Sequence, residues 1–160
     1  MSVRSNELNG LRTSLERLAM KTVNDKRKCV NDTDRCHLGQ LLANPESRAW
    51  GDRRCRARLE AVLERAEPVD SHATPENLVT MNPTAELVDL ATEKRRTVTV
   101  VYPDDVDLVP DGVSIFEPLG ATLLGCKVGD VIECSAEKRQ CRFRIVELVY
   151  QPEHAGAFNR

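Results

Sequence analysis

Cys29, Cys36, His37 and Cys55 offer four soft side chains, the number that a tetrahedral structural zinc requires. Their spacing matches no recurrent ligand pattern, and none of the six cysteines (29, 36, 55, 126, 134 and 141) stands in a Cys-x-x-Cys pair. No metal and no other cofactor is therefore expected. Cys134 and Cys141 are placed to face each other across a hairpin, where oxidation could join them, but reduced thiols are the expectation. The run from Gly120 to Gly125, Cys126 and Lys127 imitates a phosphate-cradling loop in outline only. Cys126 displaces the lysine, and Val128 stands where a serine or threonine should follow. Asn31-Asp32-Thr33 spells a glycosylation acceptor, which has no consequence in a cytoplasmic chain. His37, His72 and His154 sit in unrelated sequence contexts, so no nucleophile–base set and no catalytic residue is assigned.

The composition fits a soluble globular protein. The 160 residues are 41% apolar, 30% charged and only 4% aromatic. No apolar run approaches the roughly 18 residues that would span a bilayer. Residues 1–18 place charges among their leucines and lack the apolar block of a signal peptide. A cytoplasmic location and no membrane contact are expected. The net charge of −2 conceals an asymmetry. Residues 1–74 carry 14 basic against 11 acidic side chains (+3), and residues 75–160 carry 9 against 14 (−5). Two regions with different partners are implied.

Three helical segments precede Pro75. Leu8, Leu11, Leu15 and Leu18 lie on one stripe of an amino-terminal helical extension, residues 1–30. That stripe either packs on the next two helices or supports self-association, so oligomeric state stays open. The second helix spans about residues 33–43, capped by Asn31 or Asp32, with Leu38, Leu41 and Leu42 inward. The third spans about residues 52–66 and presents Leu59, Val62, Leu63 and Ala66. Asn44-Pro45 and Gly51 bracket the turn between them, which makes an antiparallel hairpin with arms about 16–22 Å long. Residues 67–75 read as a connector, because two prolines oppose both helix and ladder. Beyond it five strands are expected, at about 78–90, 95–102, 113–116, 130–134 and 141–150, with one helical turn at 119–124. The fold class is α+β, a helical hairpin over residues 31–74 followed by a sheet domain over residues 75–160.

Four stretches of the second half carry a resemblance: Val79-Thr80-Met81-Asn82, Val100-Val101-Tyr102-Pro103, the run from Pro118 through Gly125 and Lys127 to Asp130, and Val149-Tyr150-Gln151-Pro152-Glu153. In order and at these separations they resemble the carboxy-terminal domain of the bacterial GreA/GreB transcription factors, and the Val-Thr-Met-Asn opening favours the short Rnk-type members. The similarity covers about residues 30–155; before Pro75 it rests only on Asn31-Asp32, Leu41-Leu42 and Pro45. It implies an FKBP-like carboxy-terminal fold, a short antiparallel coiled coil before it, and binding at the secondary channel of bacterial RNA polymerase. Nucleic acid would be met only indirectly, within the transcription complex. It also implies that the polymerase is gripped near the strand-to-helix turn, here Ser114, Phe116, Glu117, Pro118 and Leu119. Leu123 and Leu124 are expected in the core. The first 30 residues, the charged turn 135–140, and the thiols Cys126 and Cys134 depart from the family pattern.

Gre factors stimulate transcript cleavage with acidic residues at the tip of a long coiled coil, which help to hold a second magnesium ion. Two carboxylates must come close together to share such a cation. The turn here, Glu46, Arg48, Trp50 and Asp52, supplies two acids with an arginine between them, so it reads as a solvated loop in which Pro45 and Glu46 open the third helix. Trp50 either anchors a contact or plugs the open end of the hairpin, the latter being preferred. Arg53, Arg54, Arg56 and Arg58 spread around the helix at roughly 100° per residue. They form a solvated face, or hold polymerase acids or RNA phosphates electrostatically. The expected function is a non-enzymatic regulator that occupies the polymerase channel and blocks longer cleavage factors. The alternatives are a cleavage factor using Glu46 and Asp52, and an FKBP-like prolyl isomerase or peptide-binding module.

Overall fold

The computed structural model describes residues 27–136 and 139–156, so the expected leucine-striped helix of residues 8–18 lies outside the described residues. The described chain starts with β1 (Cys29–Asn31), followed by α1 (Asp32–Ala43), a 3-10 turn (Pro45–Ala49), α2 (Arg53–Arg65) and β2 (Glu67–Val69). Asn31 caps α1 by accepting the Asp34 amide at 2.7 Å, and Asp52 caps α2 through the Arg54 amide at 3.1 Å. Leu38 and Leu59 are fully buried, with Leu41, Leu42, Val62 and Leu63 packed half-buried around them.

Two expectations in this half are corrected. Pro45 and Glu46 do not open α2: Asn44 accepts the Glu46 amide and Pro45 begins a separate 3-10 turn that ends before Trp50. The connector is also not free of ladder. β2 pairs in parallel with β1, Pro68 opposite Val30, in a two-stranded ribbon. Proline is tolerated because each strand of a two-stranded ribbon is an edge.

The second half is a five-stranded sheet in the order β5-β4-β3-β7-β6, made of β3 (Thr84–Asp89), β4 (Arg95–Val101), β5 (Gly112–Ser114), β6 (Val131–Ala136) and β7 (Arg139–Tyr150). All neighbours are antiparallel except β4 and β5. The expected strand 78–90 is shortened at its start. Asn82 has a positive φ of 60° and Pro83 lacks an amide, so the ladder begins at Thr84. Residues before it pair instead with the segment after the short helix, Leu78 bridging Lys127. The expected strand 113–116 ends at Ser114, because Ile115 and Phe116 already turn towards that helix.

The short helix, α3 (Pro118–Leu123), starts at Pro118, whose missing amide costs nothing in the first turn, and gives way at Gly125 with φ +80°. It packs on β6 and also on β4 and β5, which lie at the opposite side of the strand order. The sheet therefore curls around α3. Side chains from the helical pair and from the sheet join a single buried cluster, Leu38 and Leu59 together with Val98, Phe116, Leu123, Ile132 and Ile145. No described helix is long and apolar enough to cross a membrane.

Candidate functional site

The strand-to-helix turn is built by local bonding. Ser114 accepts the Phe116 amide on its side chain at 3.1 Å and the Glu117 amide on its carbonyl at 2.9 Å. Gly120 approaches so closely that a Cβ there would lie 2.2 Å from the Ser114 carbonyl oxygen. The five residues expected at this edge are brought together, but Ser114, Phe116 and Leu119 are buried. Glu117 is exposed and Pro118 half-exposed, so these two present the edge to solvent.

The turn of the helical pair sits on that edge. Trp50 meets Phe116 with ring centroids 6.0 Å apart, and Gly51, at φ +70°, lies where a Cβ would come 2.4 Å from the Phe116 carbonyl oxygen. Trp50 is thus half-buried, packing within the chain on Phe116 and the buried cluster. Glu46, Arg48 and Asp52 are exposed, and one Asp52 carboxylate oxygen is occupied as the α2 cap.

The arginine cluster divides by task. Arg56 is half-buried and donates to the Ser47 hydroxyl at 2.8 Å and to the Leu42 carbonyl, tying the turn to α1. Arg58 donates to the Thr122 hydroxyl of α3. Arg53 and Arg54 face solvent in a first turn that contains no acid. Cations there oppose the helix dipole, which favours anions at this end.

A polar junction at the opposite end of the helical pair was not foreseen. Asn31 donates to Glu153 at 2.7 Å, Thr80 donates to the other Glu153 oxygen at 3.0 Å, and Asp34 accepts the Met81 amide at 2.9 Å. Gln151 donates to the carbonyls of Pro75 and Leu78. Burial, aided by the nearby Glu153 charge, pushes the Asp34 carboxyl up to about 7 against the pull of the Met81 amide and Asn31. Tyr102, whose buried hydroxyl has no partner, is also pushed up, by burial first and then by Asp34. The only local sequence signal was the pair of polar residues at the α1 start; the partners lie more than forty residues away.

Among the described residues no group of three or more His, Cys, Asp and Glu could hold a metal ion, and Cys29, Cys36, His37 and Cys55 are not gathered. Cys134 and Cys141 do stand directly opposite each other in the β6–β7 register, as free thiols.

Residues 74–150 match the family model described as transcription elongation factor, GreA/GreB, C-term. The chain is 32% identical over 130 residues to the regulator of nucleoside diphosphate kinase of Escherichia coli K12, covering 81% of this chain and 93% of that one. The chain belongs to the GreA/GreB family. It is a homologue of that regulator within the family. It is also 32% identical over 92 residues to the transcription elongation factor GreA of Mesorhizobium japonicum, with 58% of this chain and 59% of that one covered. A solved GreA/GreB structure from Nitrosomonas europaea superposes with a TM-score of 0.64 at 35% identity, over 79% of this chain and all of that one. The GreA/GreB-like stretches have a structural reading. Thr80, Met81, Tyr102 and Glu153 come from three of them and converge on the Asn31–Asp34 end of α1.

Proposed function

We propose that this GreA/GreB-family chain is a cytoplasmic transcription regulator, not an enzyme, that binds bacterial RNA polymerase at its secondary channel and competes with Gre cleavage factors without stimulating cleavage. The strand-to-helix edge at Glu117 and Pro118, on an FKBP-like curled sheet, would meet the rim of the channel. The helical pair, a short coiled coil, would sit at its mouth. The observation that carries this reading is the state of the turn. Its helices are 12 and 13 residues long, about 18–20 Å, and Trp50 and Gly51 seat the turn on Phe116. Of its two acids, Asp52 already holds the α2 cap, and the cation Arg48 lies between them. Such a turn is poorly equipped to share a hard cation with acids of the polymerase.

The test uses immobilised core polymerase. The protein should be retained at low salt, be displaced by GreA, and leave stalled complexes uncleaved. Failure of retention would remove the reading, and cleavage that disappears with Glu46→Ala and Asp52→Ala together would replace it with the cleavage-factor alternative.

A further inference from the structure

A groove of about 540 Å³ opens beside the turn, lined by Arg48, Trp50, Asp52, Arg53, Arg56 and Glu60, with Gly51 and Ala57. Arg53, Arg56, Ala57 and Glu60 recur at helical spacing, so one face of α2 forms its wall and the half-buried Trp50 closes one end. The charges along it are not equivalent. Arg56 is taken up by Ser47, Leu42 and Glu60, the last at 3.4 Å, and Asp52 by the Arg54 amide. Arg48 and Arg53 are exposed, and their side chains make no hydrogen bond or ion pair among the described residues. The groove therefore offers two uncompensated guanidinium groups beside an indole.

We propose that this groove docks an acidic segment of a protein partner, with discrete carboxylates reaching Arg48 and Arg53 and a neighbouring aliphatic side chain lying against Trp50. Planar guanidinium groups match carboxylates in fork geometry. The indole supplies a rigid apolar contact of the kind that anchors interfaces. A nucleic-acid strand fits less well, because its evenly repeated phosphates would run past Asp52 and Glu60, whereas separated carboxylates can avoid them. The inference rests on the polymerase reading only for the question of which chain carries the acidic segment.

Trp50 is the sole tryptophan, so its emission reports the groove directly. The probe is a capped six-residue peptide of alternating aspartate and leucine, compared with a lysine–leucine peptide and a single-stranded DNA hexamer. The acidic peptide should produce a saturable change that weakens with added salt. Binding should fall by about tenfold or more in the Arg48→Glu, Arg53→Glu double variant and survive in large part in the Arg48→Lys, Arg53→Lys variant. Both side chains are exposed, and reversal at Arg53 favours the helix dipole, so the variants keep the fold, which a thermal melt verifies. No response to the acidic peptide, equal binding by the glutamate variant, or tighter binding of the DNA overturns the proposal. A polymerase pull-down separates the two readings. Wild-type retention matched by the glutamate variant, with no binding of the acidic peptide, removes the groove and leaves the polymerase; peptide binding without retention does the reverse.

Discussion

Trp50 and Phe116 meet at 6.0 Å between centroids with their planes inclined by 52°, a tilted pairing that fixes the turn of the helical pair on the start of α3. Tilted aromatic pairs contribute beyond the area they bury, about 0.5–1.5 kcal/mol. Phe116→Ala should destabilise by about 3–5 kcal/mol, because Phe116 is fully buried, and Trp50→Ala by about 2 kcal/mol, because Trp50 is half-exposed. A urea-unfolding double-mutant cycle should return the pair term as coupling. Strict additivity would mean that the rings touch without holding.

Gly51→Ala tests the same seat through the backbone. The position combines φ +70° with a Cβ site 2.4 Å from a carbonyl oxygen, so alanine meets both a conformational penalty and a clash. A loss of about 2–4 kcal/mol is expected in urea denaturation. Gly129→Ala is the control: it too has positive φ, +95°, but nothing lies within 4 Å of its Cβ site, and about 1 kcal/mol should suffice.

Asp34 should give stability a pH dependence of unusual sign for a carboxylate. Its folded value is raised to about 7, whereas in the unfolded chain it ionises near its ordinary value of about 4. Between those values the folded state holds the proton that the unfolded state has lost. Its contribution is thus fully present at low pH, falls as pH rises through that window by up to a few kcal/mol, and levels off above about 7. Asn31, Glu153 and Tyr102 face the group and stay in place in Asp34→Asn, whose side-chain oxygen can still accept the Met81 amide. The difference in unfolding free energy between wild type and this variant, measured from pH 4 to 8, should change across the window. A constant difference would contradict the assignment.

Thiol labelling should follow burial. Cys36 is exposed and Cys29 half-buried, while Cys55, Cys126, Cys134 and Cys141 are buried. Burial raises the Cys55 and Cys126 thiols, and burial with the facing Cys141 pushes Cys134 up to about 11. An alkylating reagent at pH 8, with intact mass as the readout, should modify Cys36 first and Cys134 only as the protein unfolds. Early labelling of Cys134 would show that β6 and β7 separate readily.

The elements with strong local signals were legible. The polar cap at Asn31 with the leucines at 38, 41 and 42, and the apolar spacing of Leu59, Val62, Leu63 and Ala66, placed α1 and α2 to within a residue or two. Alternation from Arg142 to Val146 marked β7, and Pro118 with Gly125 marked α3. Errors arose where distant partners decided. Val79, Thr80 and Met81 have strand-like side chains, yet Val79 bonds to Cys126 and Met81 to Asp34. Pro68 looks incompatible with a ladder until β1 is seen to offer it an edge. At the candidate site, the resemblance named the turn from Ser114 to Leu119, but short-range pattern could not show that Phe116 and Leu119 are buried, nor that Arg56 and Arg58 are spent on internal bonds. Neither the Trp50–Phe116 pairing nor the Asn31–Glu153 bond has a signature at short separation.

The β1–β2 ribbon brings entry and exit of the helical pair side by side, Cys29 opposite Glu67 and Asn31 opposite Val69. Closing a loop on such a clip grows dearer only with the logarithm of its length; doubling the insert would add about 0.6 kcal/mol. At the root, then, arm length is almost unconstrained. The far end sets the ruler, because an arm with additional turns would carry Trp50 past Phe116 and forfeit its seat, so lengthening it and releasing it are one and the same change.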